Sequence, residues 1–121
     1  SENQSDSVSE LFLRLHDQYP GDVGCFVIFF LNHLKLSPGQ AKYLGPNVPH
    51  AYLSGDCVEV MANSDNVVRA GLTPKLIDTP TLVSMLDYCC TLPHVRLFSP
   101  SLPSDSCLEF DPPVPDFSVA R

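Results

Sequence analysis

With 121 residues and 44% apolar content, the chain is long enough to be one domain with its own core. A net charge of −7 and a pI near 4.7 argue against nucleic acid as a partner. Cys25–Leu31 is apolar but far short of the run of about 18 residues that a membrane span needs. Five cysteines (Cys25, Cys57, Cys89, Cys90 and Cys107) form an odd set without a C-x-x-C pair. That usage fits reduced thiols in the cytoplasm better than a disulfide framework. The chain opens at Ser1 without an initiator methionine or secretory signal, so it reads as a piece of something larger.

Ser1–Ser7 is polar and expected to fray. Val8, Leu11, Phe12, Leu15 and Tyr19 then fall at helical spacing, and Ser7 with Glu10 fits a capping box. Pro20-Gly21 stops the helix. Gly24–Leu31 is dense in β-branched and aromatic residues, which predicts a strand buried on both faces. Asn32–Leu36 either continues it or pairs back.

Leu36–Lys75 is where turn residues and apolar alternation recur most regularly. Gln40–Leu44, His50–Tyr52, Cys57–Ala62 and Val67–Gly71 are predicted as short strands between Gly-, Pro-, Ser- and Asn-containing turns. Closely spaced strands of this kind predict a β-sandwich or small barrel. Residues two apart share a strand face, so His50 with Tyr52, Glu59 and Arg69 can converge on one lumen. The alternative is that these are the solvated faces of an ordinary sandwich. Cys57 would lie on the inner face, either as a nucleophile or, by preference, as a small buried residue. Thr79-Pro80 then opens a short helix reaching Cys89. From Pro93 onward Pro, Ser and Asp dominate, interrupted by apolar runs at Val95–Phe98, Cys107–Phe110 and Phe117–Val119. These read as edge strands in a loop or linker.

Pro38-Gly39 followed by Val48-Pro49-His50-Ala51-Tyr52 resembles the second cupin motif, in which a glycine turn precedes a metal-binding histidine. The longer run through Gly55-Asp56, Glu59, Ser64-Asp65-Asn66, Arg69-Ala70-Gly71 and Thr73-Pro74-Lys75 resembles the core of the type I phosphomannose isomerases. The likeness continues in Asp78–Leu82 and in Asp111–Phe117, and covers most of the chain from Tyr19 onward. It implies a mainly β fold: part of a cupin or jelly-roll barrel with flanking helices, cut from a larger multidomain chain. Residues 1–20 would end a helical domain, 21–93 belong to the catalytic barrel, and 94–121 form a linker and the start of a C-terminal jelly roll.

The activity implied is a zinc-dependent exchange between mannose 6-phosphate and fructose 6-phosphate, feeding GDP-mannose synthesis in the cytoplasm. Its partners would be a phosphorylated hexose and the rest of the parent chain. Moving hydrogen between C1 and C2 needs a polarised carbonyl and a path for the proton. The resemblance makes His50 a zinc ligand, Arg69 and Glu59 catalytic, and Tyr52, Asp65 and Lys75 substrate-binding. A structural ion pair of Arg69 with Glu59 or Asp65 stays open, as does the division between base and orienting group. The family's other ligands come from a Gln-x-His pair and a glutamate. Gln4, Gln18 and Gln40 all lack a histidine two residues on, and His16, His33 and His94 show no metal spacing. The chain alone is therefore expected to be inactive. An alternative is a non-catalytic cupin-like module that binds a sugar or an anion.

Overall fold

The computed structural model describes residues 7–121; the fraying expected over Ser1–Ser7 otherwise lies outside them. The chain divides into two compact units. One comprises the residues up to Leu34 together with Val68–Leu86, and the other comprises Lys35–Val67 together with Asp87–Arg121.

In the first unit, helix α1 (Val8–Gln18) begins where the capping box predicts. The Ser7 N–H donates to Glu10 Oε2 at 2.7 Å, and the Glu10 N–H donates back to Ser7 Oγ at 3.2 Å. Leu11 and Leu15, one turn apart, are its buried side chains, with 2% and 3% exposure. They form the small core of this unit together with Cys25, whose burial, followed by the charge of Asp22, raises the thiol's pKa. Phe12 meets Phe26 and Phe29 at ring-centroid distances of 5.3 and 5.7 Å.

The strand expected over Gly24–Leu31 is instead a 3₁₀ segment, Val23–Phe29. Local bonding outweighs β-propensity here. Asp22 Oδ1 accepts from the Gly24 N–H at 2.7 Å, and the Asp22 carbonyl accepts from the Cys25 N–H at 3.1 Å. Asp22 Oδ2 also accepts from the Thr73 N–H at 3.4 Å, drawing in a stretch distant in sequence. There the backbones of Gly24 and Gly71 touch: a Cβ on Gly24 would lie 2.9 Å from Gly71 Cα, and one on Gly71 would lie 2.8 Å from Gly24 Cα. Only glycines allow that approach.

Helix α2 (Thr79–Met85) follows in the same unit. Its N-cap is Asp78, one residue before the expected Thr79, with Pro80 in the first turn. It ends short of Cys89, because Leu86 is already extended (φ −58°, ψ 138°).

The second unit carries two small antiparallel sheets. β1 (Ala41–Lys42) pairs with β2 (Leu97–Phe98), Ala41 opposite Phe98. β3 (Ser101–Ser104), β4 (Cys107–Phe110) and β5 (Val119–Ala120) form the other sheet in chain order. Phe98 and Phe110 meet edge to face at 6.2 Å. Lys42 Nζ donates to the carbonyls of Pro93 (3.0 Å) and Val95, holding the loop before β2 against β1. Burial, then the neighbouring Arg96, lowers the pKa of Lys42.

The architecture is thus small antiparallel sheets with few helices, and no barrel closes among the described residues. The strands expected at His50–Tyr52, Cys57–Ala62 and Val67–Gly71 are absent, because a strand needs a hydrogen-bonding neighbour and the alternation there finds none. Val58 and Met61 accordingly stay 87% and 61% exposed, and Cys57 is exposed, not buried.

Two outcomes follow for stability. Gly24→Ala or Gly71→Ala forces backbone apart and should cost about 1–3 kcal/mol, read as a lower urea midpoint. Gly45→Ala should cost much less, since its nearest neighbour, at 3.0 Å, is the flexible end of Arg96. At α2, the Thr81 hydroxyl (2.8 Å) and then its N–H (3.1 Å) hold the Asp78 carboxyl below its ordinary pKa of 3.8. That stabilisation is present above the ordinary value and lost as pH falls through the lower, folded one. Acid melting of α2 followed by circular dichroism should lose this dependence in Asp78→Asn, which keeps a cap but cannot ionise.

Candidate functional site

Pro49 enforces an extended entry to His50, and Ser54-Gly55-Asp56 reverses the chain toward Glu59, with Gly55 in the left-handed region at φ 97°. Three of the predicted residues come together around this turn. Tyr52 Oη donates to Glu59 Oε1 at 2.7 Å, a short bond to a charged acceptor. The His50 ring meets the Tyr52 ring edge to face, 5.9 Å between centroids at 64°. His50 Nδ1 lies 2.9 Å from the Val48 carbonyl oxygen. A carbonyl can only accept, so Nδ1 carries a proton, and in the neutral ring that leaves the lone pair on Nε2.

Tyr52 as a whole is 59% exposed. Partial burial first, then the bond to Glu59 and its charge, pushes the phenol's pKa well up, so the hydroxyl keeps its proton. Asp65 lies in the same unit, exposed in a turn where Ser64 Oγ bonds Asn66 Oδ1. Arg69 and Lys75 belong to the other unit, and both are exposed. Arg69 precedes the Gly24–Gly71 contact by two residues, and the Lys75 N–H donates to Thr73 Oγ1 at 3.2 Å.

Two open recesses lie elsewhere, and neither is lined by a predicted residue. In the first unit an open recess of about 190 Å³ is lined by Phe12, His16, Asp22, Cys25 and Phe26, among others. In the second, one of about 350 Å³ lies between Tyr43, Arg96, Phe98, Asp111, Pro112 and Pro113. Sequence reasoning overlooked Asp22 and Arg96. Asp22 had a signal, being an Asx residue two before a glycine. Arg96, in the left-handed region at φ 68°, had none.

A catalytic zinc takes about three protein ligands. His50 Nε2 suits such a role, and its Nδ1–H to a carbonyl is the outer bond that orients a ligating imidazole. No group of three or more His, Cys, Asp or Glu among the described residues could hold a metal ion. These residues offer a donor and do not complete a site.

The model for the helical insertion domain of type I phosphomannose isomerase matches residues 1–31, which include α1 and the 3₁₀ segment. Mannose-6-phosphate isomerase of Bos taurus is 60% identical over 121 residues, covering 98% of this chain and 29% of its own length. The Homo sapiens enzyme of that name is 59% identical over the same shares. Over nearly its whole length the chain is therefore similar to part of these mannose-6-phosphate isomerases. Mannose-6-phosphate isomerase of Cryptococcus neoformans is 52% identical over 118 residues, 95% of this chain and 27% of its own. The chain thus spans less than a third of the length of these relatives. No solved structure matches it significantly.

The tautomer is directly measurable. Nitrogen-resolved NMR should show the neutral His50 ring as its Nδ1–H tautomer; the Nε2–H tautomer would mean the Val48 contact has been misread.

Proposed function

We propose that this chain works within a longer mannose-6-phosphate isomerase, a zinc-dependent aldose–ketose isomerase of the cytoplasm. The enzyme would interconvert mannose 6-phosphate and fructose 6-phosphate and supply mannose phosphate for GDP-mannose synthesis. The observation that carries this reading is the 60% identity to a mannose-6-phosphate isomerase across 98% of the chain, a stretch that includes all six candidate residues. In that longer protein, 1–20 would end the helical domain, 21–93 contribute to the cupin barrel, and 94–121 lead into the jelly roll.

His50 would be one ligand of the zinc through Nε2, with the others supplied from outside this chain. A zinc held there would supply Lewis-acid polarisation of the substrate carbonyl. Arg69, always charged and forked, suits the stabilisation of negative oxygen during proton transfer, and Glu59 suits handling or steering that proton. Asp65 and Tyr52 line the sugar side. Lys42 is engaged by two backbone carbonyls, so among the cations of the central stretch the phosphate falls to Lys75 and Arg69.

The full-length protein should isomerise mannose 6-phosphate in a coupled assay and lose activity to chelators and to His50→Ala. Arg69→Ala should lower kcat by about two to three orders of magnitude. The 121-residue chain alone should show neither turnover nor tight zinc binding by calorimetry, because the donors here do not complete a site. Tight one-to-one binding with turnover by that chain would sink the assignment of its ligands. Sugar binding without turnover by the zinc-loaded full-length protein would favour a binding module.

A further inference from the structure

We infer that Tyr52 is a positioning residue that aims the Glu59 carboxylate, and not a substrate contact. The inference rests on the isomerase reading above and assigns one of its residues a different task. The Tyr52 hydroxyl has a single proton, and that proton is donated to Glu59 Oε1 at 2.7 Å. A substrate hydroxyl arriving at Tyr52 could gain that proton only by breaking a bond to a charged acceptor, which is the stronger kind. The Tyr52 ring is also engaged, by the His50 imidazole at 5.9 Å and 64°. The phenol therefore bridges the candidate metal ligand and the candidate proton-handling carboxylate.

The bridge matters because little else fixes Glu59. Neither arm of the Ser54–Asp56 turn is a strand, and Glu59 itself is exposed. A carboxylate rotates about its last torsion with little resistance unless one oxygen is held. Holding Oε1 leaves Oε2 as the oxygen that faces a reacting proton, in one orientation. Without the hydroxyl, Glu59 keeps its charge and place in the chain but loses its aim. That loss falls on the chemical step and leaves ground-state binding of the sugar intact. Tyr52→Phe keeps the ring and its contact with His50 and deletes only the donor.

The test uses the full-length protein, with mannose 6-phosphate as the probe and steady-state kinetics as the readout. Tyr52→Phe should lower kcat roughly ten- to a hundredfold, the worth of a hydrogen bond to a charged group, with KM within about twofold of the parent. Thermal unfolding should barely move, since Tyr52 is 59% exposed. In a Glu59→Gln background the same substitution should cost less than about twofold more, since a residue acting through Glu59 has little left to lose. A raised KM at unchanged kcat would overturn the inference in favour of a substrate contact, and so would losses that multiply in the double variant. A parent protein without isomerase activity would overturn the isomerase reading and the inference with it. An active parent with an unaffected Tyr52→Phe would overturn the inference alone.

Discussion

A single carboxylate and a pair of glycines hold the first unit together. Asp22 accepts from Gly24 and from Thr73, residues on two segments 51 positions apart in the case of Asp22 and Thr73, and the Gly24 and Gly71 backbones close against each other beneath it. Several features depend on this clamp. It bends Val23–Phe29 into 3₁₀ turns, which present Phe26 and Phe29 to Phe12 on α1 and bury Cys25 beside Leu11 and Leu15. It also fixes the backbone between Arg69 and Lys75, because Gly71 and Thr73 lie between them in sequence. Two exposed cations therefore leave the chain on either side of the Gly71 contact with Gly24. Long side chains gain precision when their Cα atoms do not move.

The parts legible in the sequence were those whose signals are local. The capping box at Ser7 and Glu10 is complete within four residues, and the helix it starts has the predicted extent almost to the residue. The apolar runs near Phe98, Cys107–Phe110 and Val119 each appear as short strands, because each finds an antiparallel neighbour inside this chain. The strand expected at Gly24–Leu31 failed for the converse reason. Its β-branched and aromatic residues favour a strand only if the backbone is available, and Asp22 and the glycine contact had already claimed it. Over Cys57–Gly71 the alternation is present, but strand formation is a property of pairs, and no partner segment meets it among the described residues.

For the candidate site, residue types were legible and their partners were not. The pattern placed His50 and Tyr52 side by side, and the two rings do meet. That Tyr52 reaches Glu59 across a seven-residue span depends on how sharply Ser54–Asp56 reverses, and turn residues announce a reversal without specifying its closure. The proton on His50 Nδ1 was equally hidden, since it depends on where the Val48 carbonyl points.

Lys42 shows how geometry removes a candidate that composition had left in play. In a chain of net charge −7, every cation near a proposed phosphate site matters, and Lys42 lies in the same central stretch as Arg69 and Lys75. Its ammonium instead donates to the carbonyls of Pro93 and Val95, and burial beside Arg96 lowers its pKa. An ammonium so engaged would have to release two carbonyls before meeting a phosphate. Lys42 is therefore a structural staple of β1 and β2. Arg69 and Lys75, exposed and flanking the glycine clamp, are the cations of that stretch with both reach and a fixed base.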